Sequence, residues 1–146
     1  MVYIGVDPGK SGAFCGIFDD HVEVYPWDNV DFIAFLNKII YSGDGAKAAV
    51  EKVGAFSGQG VTSCFTFGYS AGFIAGVLSA LGIPYQLVPP RVWKKVYSLD
   101  SDKAKSIDAC HRLFPELSLR KTEKCRTDSA DLAEAALIAE WCRRNM

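Results

Sequence analysis

The sequence has little of what a zinc site, a disulfide framework or a secretion signal requires. Its five cysteines are dispersed without a CxxC pair, and its two histidines, His21 and His111, form no cluster with them. An odd, scattered set of cysteines favours reduced thiols in a reducing compartment and argues against a structural zinc site. The first residues lack the positive segment and the long apolar core of a signal peptide. We therefore expect a cytoplasmic location.

The chain also lacks a strong charge of either sign and a long unbroken apolar run. Its net charge is −1, so an anionic partner would have to meet a local basic patch. Glycines and serines interrupt the apolar segment 65–81, which we interpret as a packed helix and not as a membrane span. With 146 residues, 49% of them hydrophobic, the chain is expected to form one domain over residues 1–146.

Periodicity and turn residues predict alternating strands and helices. Apolar strand patterns followed by glycine- or proline-rich turns fall at 2–7, 12–18, 22–27, 46–52 and 85–90. Helical patterns fall at 28–41, 62–81, 91–97, 101–115 and 128–144. This order predicts an α/β fold with a five-stranded mixed sheet, three antiparallel strands followed by two further strands, flanked by helices. In the first helix, Asp28 is a candidate N-cap, and Val30, Ile33, Ile40 and either Leu36 or Phe35 recur at helical spacing.

Carboxylates stand at the ends of otherwise apolar segments. Asp7 closes the first strand and Glu51 the fourth, while Asp128, Asp131 and Glu134 recur every three residues at the start of the last helix. If strands one and four are neighbours beneath that helix, these acids converge and repel one another. Two Mg²⁺ ions would relieve the repulsion, because oxygen-only ligands suit hard cations. Paired ions of this kind suit phosphodiester hydrolysis.

Each acid also has a simpler interpretation. Asp7 could cap the turn that follows it, since Asp before Pro-Gly is common in turns. Glu51 could be a solvated strand end beside Lys52. Asp128 could be the N-cap of the last helix, with Asp131 favoured by the helix dipole. The acids argue for a metal site as a group more strongly than any one of them does.

Three segments together resemble a known family. These are "IGVDPGKSG", "VEKV" and "DSADLAEAALIAEW", in this order along the chain. They resemble the RuvC-like Holliday-junction resolvases of the RNase H superfamily, and the short phage-encoded members most. The resemblance spans the whole chain, and it implies a Mg²⁺-dependent endonuclease that resolves four-way DNA by two-metal hydrolysis, with Mn²⁺ able to substitute.

The family's acidic tetrad carries over to this sequence with one ambiguity. Asp7 and Glu51 match directly, and Asp7 would bridge both ions. The helical pair is Asp128 with Asp131 if the letters DxxD are matched. It is Asp131 with Glu134 if the apolar run "AALIA" sets the register, which we favour slightly because that run fixes the depth of the helix against the sheet.

Local basic segments could meet DNA. "PPRVWKK", "SDKAK" and "LRKTEKCR" supply positive charges that could neutralise phosphates, although any one lysine could be ordinary surface. The candidate DNA-binding residues are Arg91, Lys94, Lys95, Lys103, Arg120, Lys121 and Lys124. Phe56 follows Glu51 in a glycine-rich loop, and similar resolvases stack an aromatic at the junction centre; it could equally fold onto the core.

Glycines recur every four residues in the long helix 62–81. Gly68, Gly72 and Gly76 form a smooth ridge, and each costs about 1 kcal/mol relative to alanine in a helix. A close approach would compensate, either onto the sheet or onto a second copy of the helix. Resemblance to resolvases favours a homodimer, since a two-fold dimer suits a four-way junction.

Other functions remain open at this stage. The same fold could process RNA, as in the related YqgF type, or could bind DNA junctions without cutting them. The turn "DPGKSG" is also similar to the phosphate turn of actin-like ATPases, which need two such lobes, and it lacks the spacing of a P-loop. No membrane partner is expected.

Overall fold

The structure, a computed structural model, describes residues 1–54 and 57–146. Its elements in chain order are β1 (Val2–Asp7), β2 (Ala13–Ile17), β3 (Val22–Pro26), α1 (Asn29–Tyr41), β4 (Ala46–Glu51), α2 (Val61–Ala80), β5 (Tyr85–Val88), α3 (Pro90–Val96), α4 (Lys103–Leu113) and α5 (Ala130–Asn145).

The strands form one mixed sheet in the order β3-β2-β1-β4-β5. β1 pairs antiparallel with β2, and β2 pairs antiparallel with β3. β4 lies parallel to β1 on one side and to β5 on the other. The predicted fold class, a five-stranded mixed sheet flanked by helices, is confirmed.

A separate hydrophobic core covers each face of the sheet. Ile4 and Val6 of β1 lie in the core beneath α1 and α2. Tyr3 and Gly5, which alternate with them, face α5 on the opposite side. Side chains alternate along a strand, so Asp7 lies on the α5 face as well.

Helix α5 is the centre of its layer. Every residue from 132 to 142 is buried, because the helix lies on β1 and β2 and is covered by α4. Gly5 allows this approach: a Cβ there would lie 2.2 Å from the Ala139 nitrogen and 2.3 Å from the Ala135 oxygen. The position therefore admits no side chain while α5 stays where it is.

The first helix begins where the sequence predicts but buries a different face. The Asp28 carboxylate accepts hydrogen bonds from the backbone N–H groups of Val30 and Asp31, which confirms it as the N-cap. Val30, Ile33 and Ile40, predicted to point inward, are exposed. The buried face consists of Phe32, Phe35, Leu36 and Ile39. Both sets have helical spacing, and the aromatic set wins because Phe32 and Phe35 pack on Phe14 of β2.

Helix α2 contradicts the expectation of a packed helix. Only Ile74 and Leu78 are buried among its residues, and its length and apolar composition would by themselves suffice to cross a membrane. Among residues 1–54 and 57–146, a Cβ at Gly68, Gly72 or Gly76 would meet nothing within 4 Å, so the glycine ridge does not approach the sheet.

The cysteines were expected to be buried thiols, and three of the five are buried, whereas Cys64 and Cys125 are partly exposed. All five are free thiols, and Cys15, Cys110 and Cys142 are buried.

Candidate active site

The parallel pairing of β1 and β4 places two acids side by side. Gly5 lies opposite Ala49 and Val6 opposite Val50, so Asp7 and Glu51 follow as the next neighbours. Glu51 shares the sheet face of Ala49, which lies in the α5 core. Strand register and side-chain alternation thus bring together two carboxylates that are far apart in the chain.

The first turns of α5 supply two more acids. The helix begins at Ala130 with Ser129 as its N-cap, so Asp131 lies in its first turn. Glu134 is three residues further on and shares a face with Asp131. Glu134 is only 3% exposed, which makes it one of the few buried charged side chains of the described chain.

These four acids surround one pocket of about 360 Å³ at the end of the sheet. The remaining lining residues come from the turn after β1, from α2, and from the segments around α3 and α4: Pro8, Gly9, Lys10, Ser11, Gly12, Val53, Phe67, Pro90, Lys94 and Lys103. Gly9 makes the turn possible with a φ of 136°, a backbone conformation that side chains disfavour.

Asp128 lies apart from this pocket. Because α5 begins only at Ala130, the three-residue spacing does not continue helically back to Asp128. Its carboxylate lies 2.7 Å from the imidazole Nε2 of His111. The structure therefore brings Glu134, and not Asp128, together with Asp131. That either acid binds a metal ion stays a prediction.

Three lysines pair with the acids of α5. Lys103 donates to Glu134 at 2.7 Å, and the Lys94 ammonium lies 3.3 Å from the other oxygen of the same carboxylate. The Ser106 hydroxyl donates to that oxygen at 3.1 Å. Lys121 donates to Asp131 at 2.9 Å. The positive charges of Lys94 and Lys103 thus compensate the Glu134 carboxylate, and a buried carboxylate requires such partners.

Asp7 is the acid of the pocket whose ionised form is most disfavoured by its surroundings. Burial, followed by the negative charges of Glu51 and Glu134, raises the pKa of Asp7 well above its ordinary value. Burial likewise raises the pKa of Glu51, although a hydrogen bond from Trp93 opposes the rise. Burial lowers the pKa of Lys103, but its hydrogen bond to Glu134 and the nearby acids outweigh this and leave that pKa raised. The site is short of positive charge at Asp7.

The chemistry of these donors fits a hard divalent cation. All four are carboxylates, and the repulsion at Asp7 is what a cation between them would relieve. As the side chains stand, no three His, Cys, Asp or Glu residues within 1–54 and 57–146 are close enough to hold a metal ion. Lys103 and Lys121 instead occupy oxygens of Glu134 and Asp131. Metal binding would require these ammonium groups to give way.

The candidate DNA-binding residues divide into two groups. Lys94, Lys103 and Lys121 pair with the acids of α5, which the sequence did not predict. Arg91, Lys95, Arg120 and Lys124 are exposed in α3 and in the loop before α5. Phe56 lies outside the described residues.

Sequence reasoning missed several residues at the pocket. Lys10 and Ser11 form the tip of the turn after Asp7, and Phe67 reaches the pocket from α2. Trp93 lies inside a segment noted only for its charge, yet its indole contacts Glu51. A tryptophan between basic residues, next to a double proline, was the available signal.

Comparison with known proteins gives likeness in structure without likeness in sequence. No family model matches the chain, and no curated protein does. Among solved structures, RuvC of T. thermophilus in complex with a Holliday junction substrate matches with a TM-score of 0.60 at 16% identity, covering 95% of this chain and 90% of that one. Another Thermus thermophilus RuvC structure matches with a TM-score of 0.58 at 17% identity, covering 95% and 91%.

The topology and this match agree over nearly the whole chain, and they confirm the resemblance at the level of the fold. The protein has the RNase H-like fold of the RuvC Holliday junction resolvases.

Proposed function

We propose that the protein is a Mg²⁺-dependent endonuclease that cuts four-way or otherwise branched DNA. One observation carries the proposal: Asp7, Glu51, Asp131 and Glu134, from two strands and a helix, surround a single pocket. A solved structure of the same fold, RuvC of T. thermophilus, is bound to a Holliday junction substrate. Together they favour phosphodiester chemistry on branched DNA over other uses of an acidic pocket.

The four carboxylates would hold two divalent ions, with Asp7 between Glu51 and the α5 pair. Mg²⁺ bound there would activate water and stabilise the leaving oxygen of a phosphodiester, and Mn²⁺ could substitute. Lys94 and Lys103 line the pocket, and Lys121 pairs with Asp131, one of its acids. Their ammonium groups are therefore placed to meet the phosphate that the acids would otherwise repel. Arg91, Lys95, Arg120 and Lys124 would hold the DNA arms by their phosphates, without reading sequence.

The test is cleavage of a synthetic four-way junction with Mg²⁺, beside linear duplex and structured RNA. We expect paired, symmetric nicks in the junction by the wild type and none by Asp7→Asn. Glu134→Gln should also abolish cleavage, whereas Asp128→Asn, a matched change outside the pocket, should retain it. Cutting of RNA alone would indicate a processing nuclease, and tight junction binding without cutting would indicate a binding module; either outcome would overturn the proposal.

We propose further that the active form is a homodimer formed through α2. Val61, Phe65 and Tyr69 are exposed, and they share roughly a third of the helix circumference with Gly68, Gly72 and Gly76. The buried Ile74 and Leu78 lie on the opposite side. An apolar face with an open glycine ridge permits two helices to approach closely, and a two-fold pair would present two pockets to a junction that is itself nearly two-fold.

A further inference from the structure

Trp93 is a fully buried side chain whose polar atom points at the acidic pocket. It is 0% exposed, and its indole N–H donates to Oε2 of Glu51 at 2.8 Å. None of the steps proposed above uses this residue. Its bond nevertheless ends on one of the four acids that line the pocket.

The bond constrains both partners. An indole has one donor and no acceptor, and leaving a buried donor unpaired costs about 1–3 kcal/mol. Trp93 is the hydrogen-bond partner of the Glu51 side chain within the described residues, so the second oxygen, Oε1, remains free for a cation. A long, flexible glutamate is thereby held by one oxygen while the other stays available.

The surrounding backbone fixes where the indole stands. Val88 of β5 pairs with Glu51, and the Lys52 nitrogen donates to the Val88 oxygen at 2.8 Å. Helix α3 begins at Pro90, directly after this anchored pair. The position of the Trp93 indole relative to β4 and β5 is therefore set by a short, ordered stretch of chain, because no long loop separates β5 from α3.

The next residue on α3 reaches a second acid. The Lys94 ammonium lies 3.3 Å from Glu134 on α5 and 5.3 Å from the centre of the Trp93 ring. A cation over an aromatic face is attracted to it, so the two side chains support one another. One turn of α3 thus contacts an acid of β4 and an acid of α5.

We propose that Trp93 is a positioning residue that orients the Glu51 carboxylate for divalent-cation binding. It acts through Glu51 and touches neither metal nor substrate. The inference rests on the proposed function in taking the pocket to be a metal site. Residues that orient a metal ligand in this way typically contribute about 10- to 100-fold to metal affinity or activity.

The first experiment compares Trp93→Phe with the wild type, using Trp141→Phe as the matched control. Trp141 is also buried but lies outside the pocket, so its variant reports the loss of a core indole alone. Titration calorimetry with Mn²⁺ should show affinity about 10-fold weaker or more in Trp93→Phe and unchanged in Trp141→Phe. Equal affinity in both variants would overturn the inference.

A second measurement leaves Trp93 in place and requires no nuclease activity. In ¹H–¹⁵N spectra of the metal-free protein, the Trp93 indole signal should shift in Glu51→Gln, because a charge-assisted bond becomes a neutral one. The metal titration in this experiment uses Mg²⁺, because Mn²⁺ is paramagnetic and would broaden the signals. Added Mg²⁺ should change the chemical shift of the Trp93 indole and leave those of Trp27 and Trp141 unchanged. A Trp93 signal that is indifferent to Glu51→Gln would overturn the inference.

The two proposals fail differently. If the protein cuts no junction but Trp93 responds to Glu51→Gln and to Mg²⁺, the proposed nuclease function fails and the positioning role stands. If the junction is cut while Trp93→Phe binds Mn²⁺ as the wild type does, the function stands and the positioning role fails.

Discussion

Helices α2 and α5 show opposite relations between composition and burial. α2 has 20 residues without a charged side chain, yet Ile74 and Leu78 are its only buried members. α5 has 16 residues, among them acids and arginines, yet every position from 132 to 142 is buried. A helix that is apolar all round is normally covered. The comparison teaches that α5 is already enclosed by its own chain, whereas α2 presents a surface that the described chain leaves open.

The two buried acids of α5, Glu134 and Glu140, tolerate burial because each has cationic partners. Glu134 is paired with Lys94 and Lys103. Glu140 accepts from Arg143 through both of its oxygens and from Arg144 through Oε1. No such pairing is needed on α2, which has no charge to satisfy. The polar residues of α5 are therefore compatible with its position between the sheet and α4. Through Glu134 they also place a carboxylate at a buried position.

The largest expected effect comes from breaking the contact beneath α5. Gly5→Ala would put a Cβ 2.2 Å from the Ala139 nitrogen and 2.3 Å from the Ala135 oxygen, both of them backbone atoms. The helix would have to move off the sheet, so we expect a loss of about 3 kcal/mol or more in the free energy of unfolding. Urea denaturation measures it, and an unchanged midpoint would mean that α5 is not held as closely as described.

The next effect tests the open face of α2. Phe65 is 74% exposed, so Phe65→Asp should leave the fold intact while weakening the proposed dimer about 10-fold or more. Sedimentation velocity over a dilution series measures the shift toward monomer. Tyr41, 88% exposed on α1, provides the control variant Tyr41→Asp, which should not change the mass.

A wild type that is monomeric at all concentrations would contradict the dimer. If that monomer sedimented with lipid vesicles instead, the open face of α2 would be a membrane contact, as its length and composition allow.

A smaller effect of opposite sign is expected at the glycine ridge. A Cβ at Gly72 would meet nothing within 4 Å in the described part of the chain, so Gly72→Ala should stabilise the monomer by about 1 kcal/mol through helix propensity. The same methyl group should weaken the dimer, because the ridge is what permits close approach. Urea denaturation under dilute conditions measures the stability of the monomer, and sedimentation at high concentration measures dimer formation. A destabilised monomer would show that the ridge is not open.

The last prediction concerns a pH dependence of stability at Asp7, which lies beside the first turn of α5. Burial and the charges of Glu51 and Glu134 raise the pKa of Asp7, so the folded state binds its proton more tightly than the unfolded state does. Stability therefore falls as the pH rises from the ordinary value of 3.8 through the raised pKa. Asp7→Asn removes this fall, and we expect it to be more stable than the wild type at pH 7 and to lose the advantage near pH 3.

Urea denaturation in EDTA at the two pH values measures the difference. Added Mg²⁺ should stabilise the wild type more than the variant, since binding to the folded state shifts the equilibrium. Identical pH slopes for the two proteins would show that Asp7 is not strained.

Strand acids could be predicted and helix acids only in part. Asp7 and Glu51 follow from two strongly apolar strands, because alternation and parallel pairing leave few places for their side chains. Asp128 could not be judged in this way, since Thr127, Asp128 and Ser129 are all plausible N-caps and the choice of Ser129 decides which acids share a face. A shift of one residue in where the helix begins therefore changes which acids belong to the site.

Long-range packing accounts for what the sequence did not predict. Residues 29–41 have two apolar faces of helical spacing, and aromatic partners outside the helix, Phe14 of β2 among them, select between these faces. The bond from Trp93 to Glu51 joins residues from different elements, and the lysine pairs of Glu134 join three helices. Such contacts depend on how elements meet, which periodicity within one segment does not describe.

The division of the pocket between β1, β4 and α5 has a consequence for biosynthesis. β1 and β4 leave the ribosome before α5 does, so Asp7 and Glu51 exist for a time without Asp131, Glu134 or the sheet cover that α5 provides. A partly made or truncated chain would lack both the second pair of acids and the core that holds the first. The pocket therefore stays incomplete until α5 is in place.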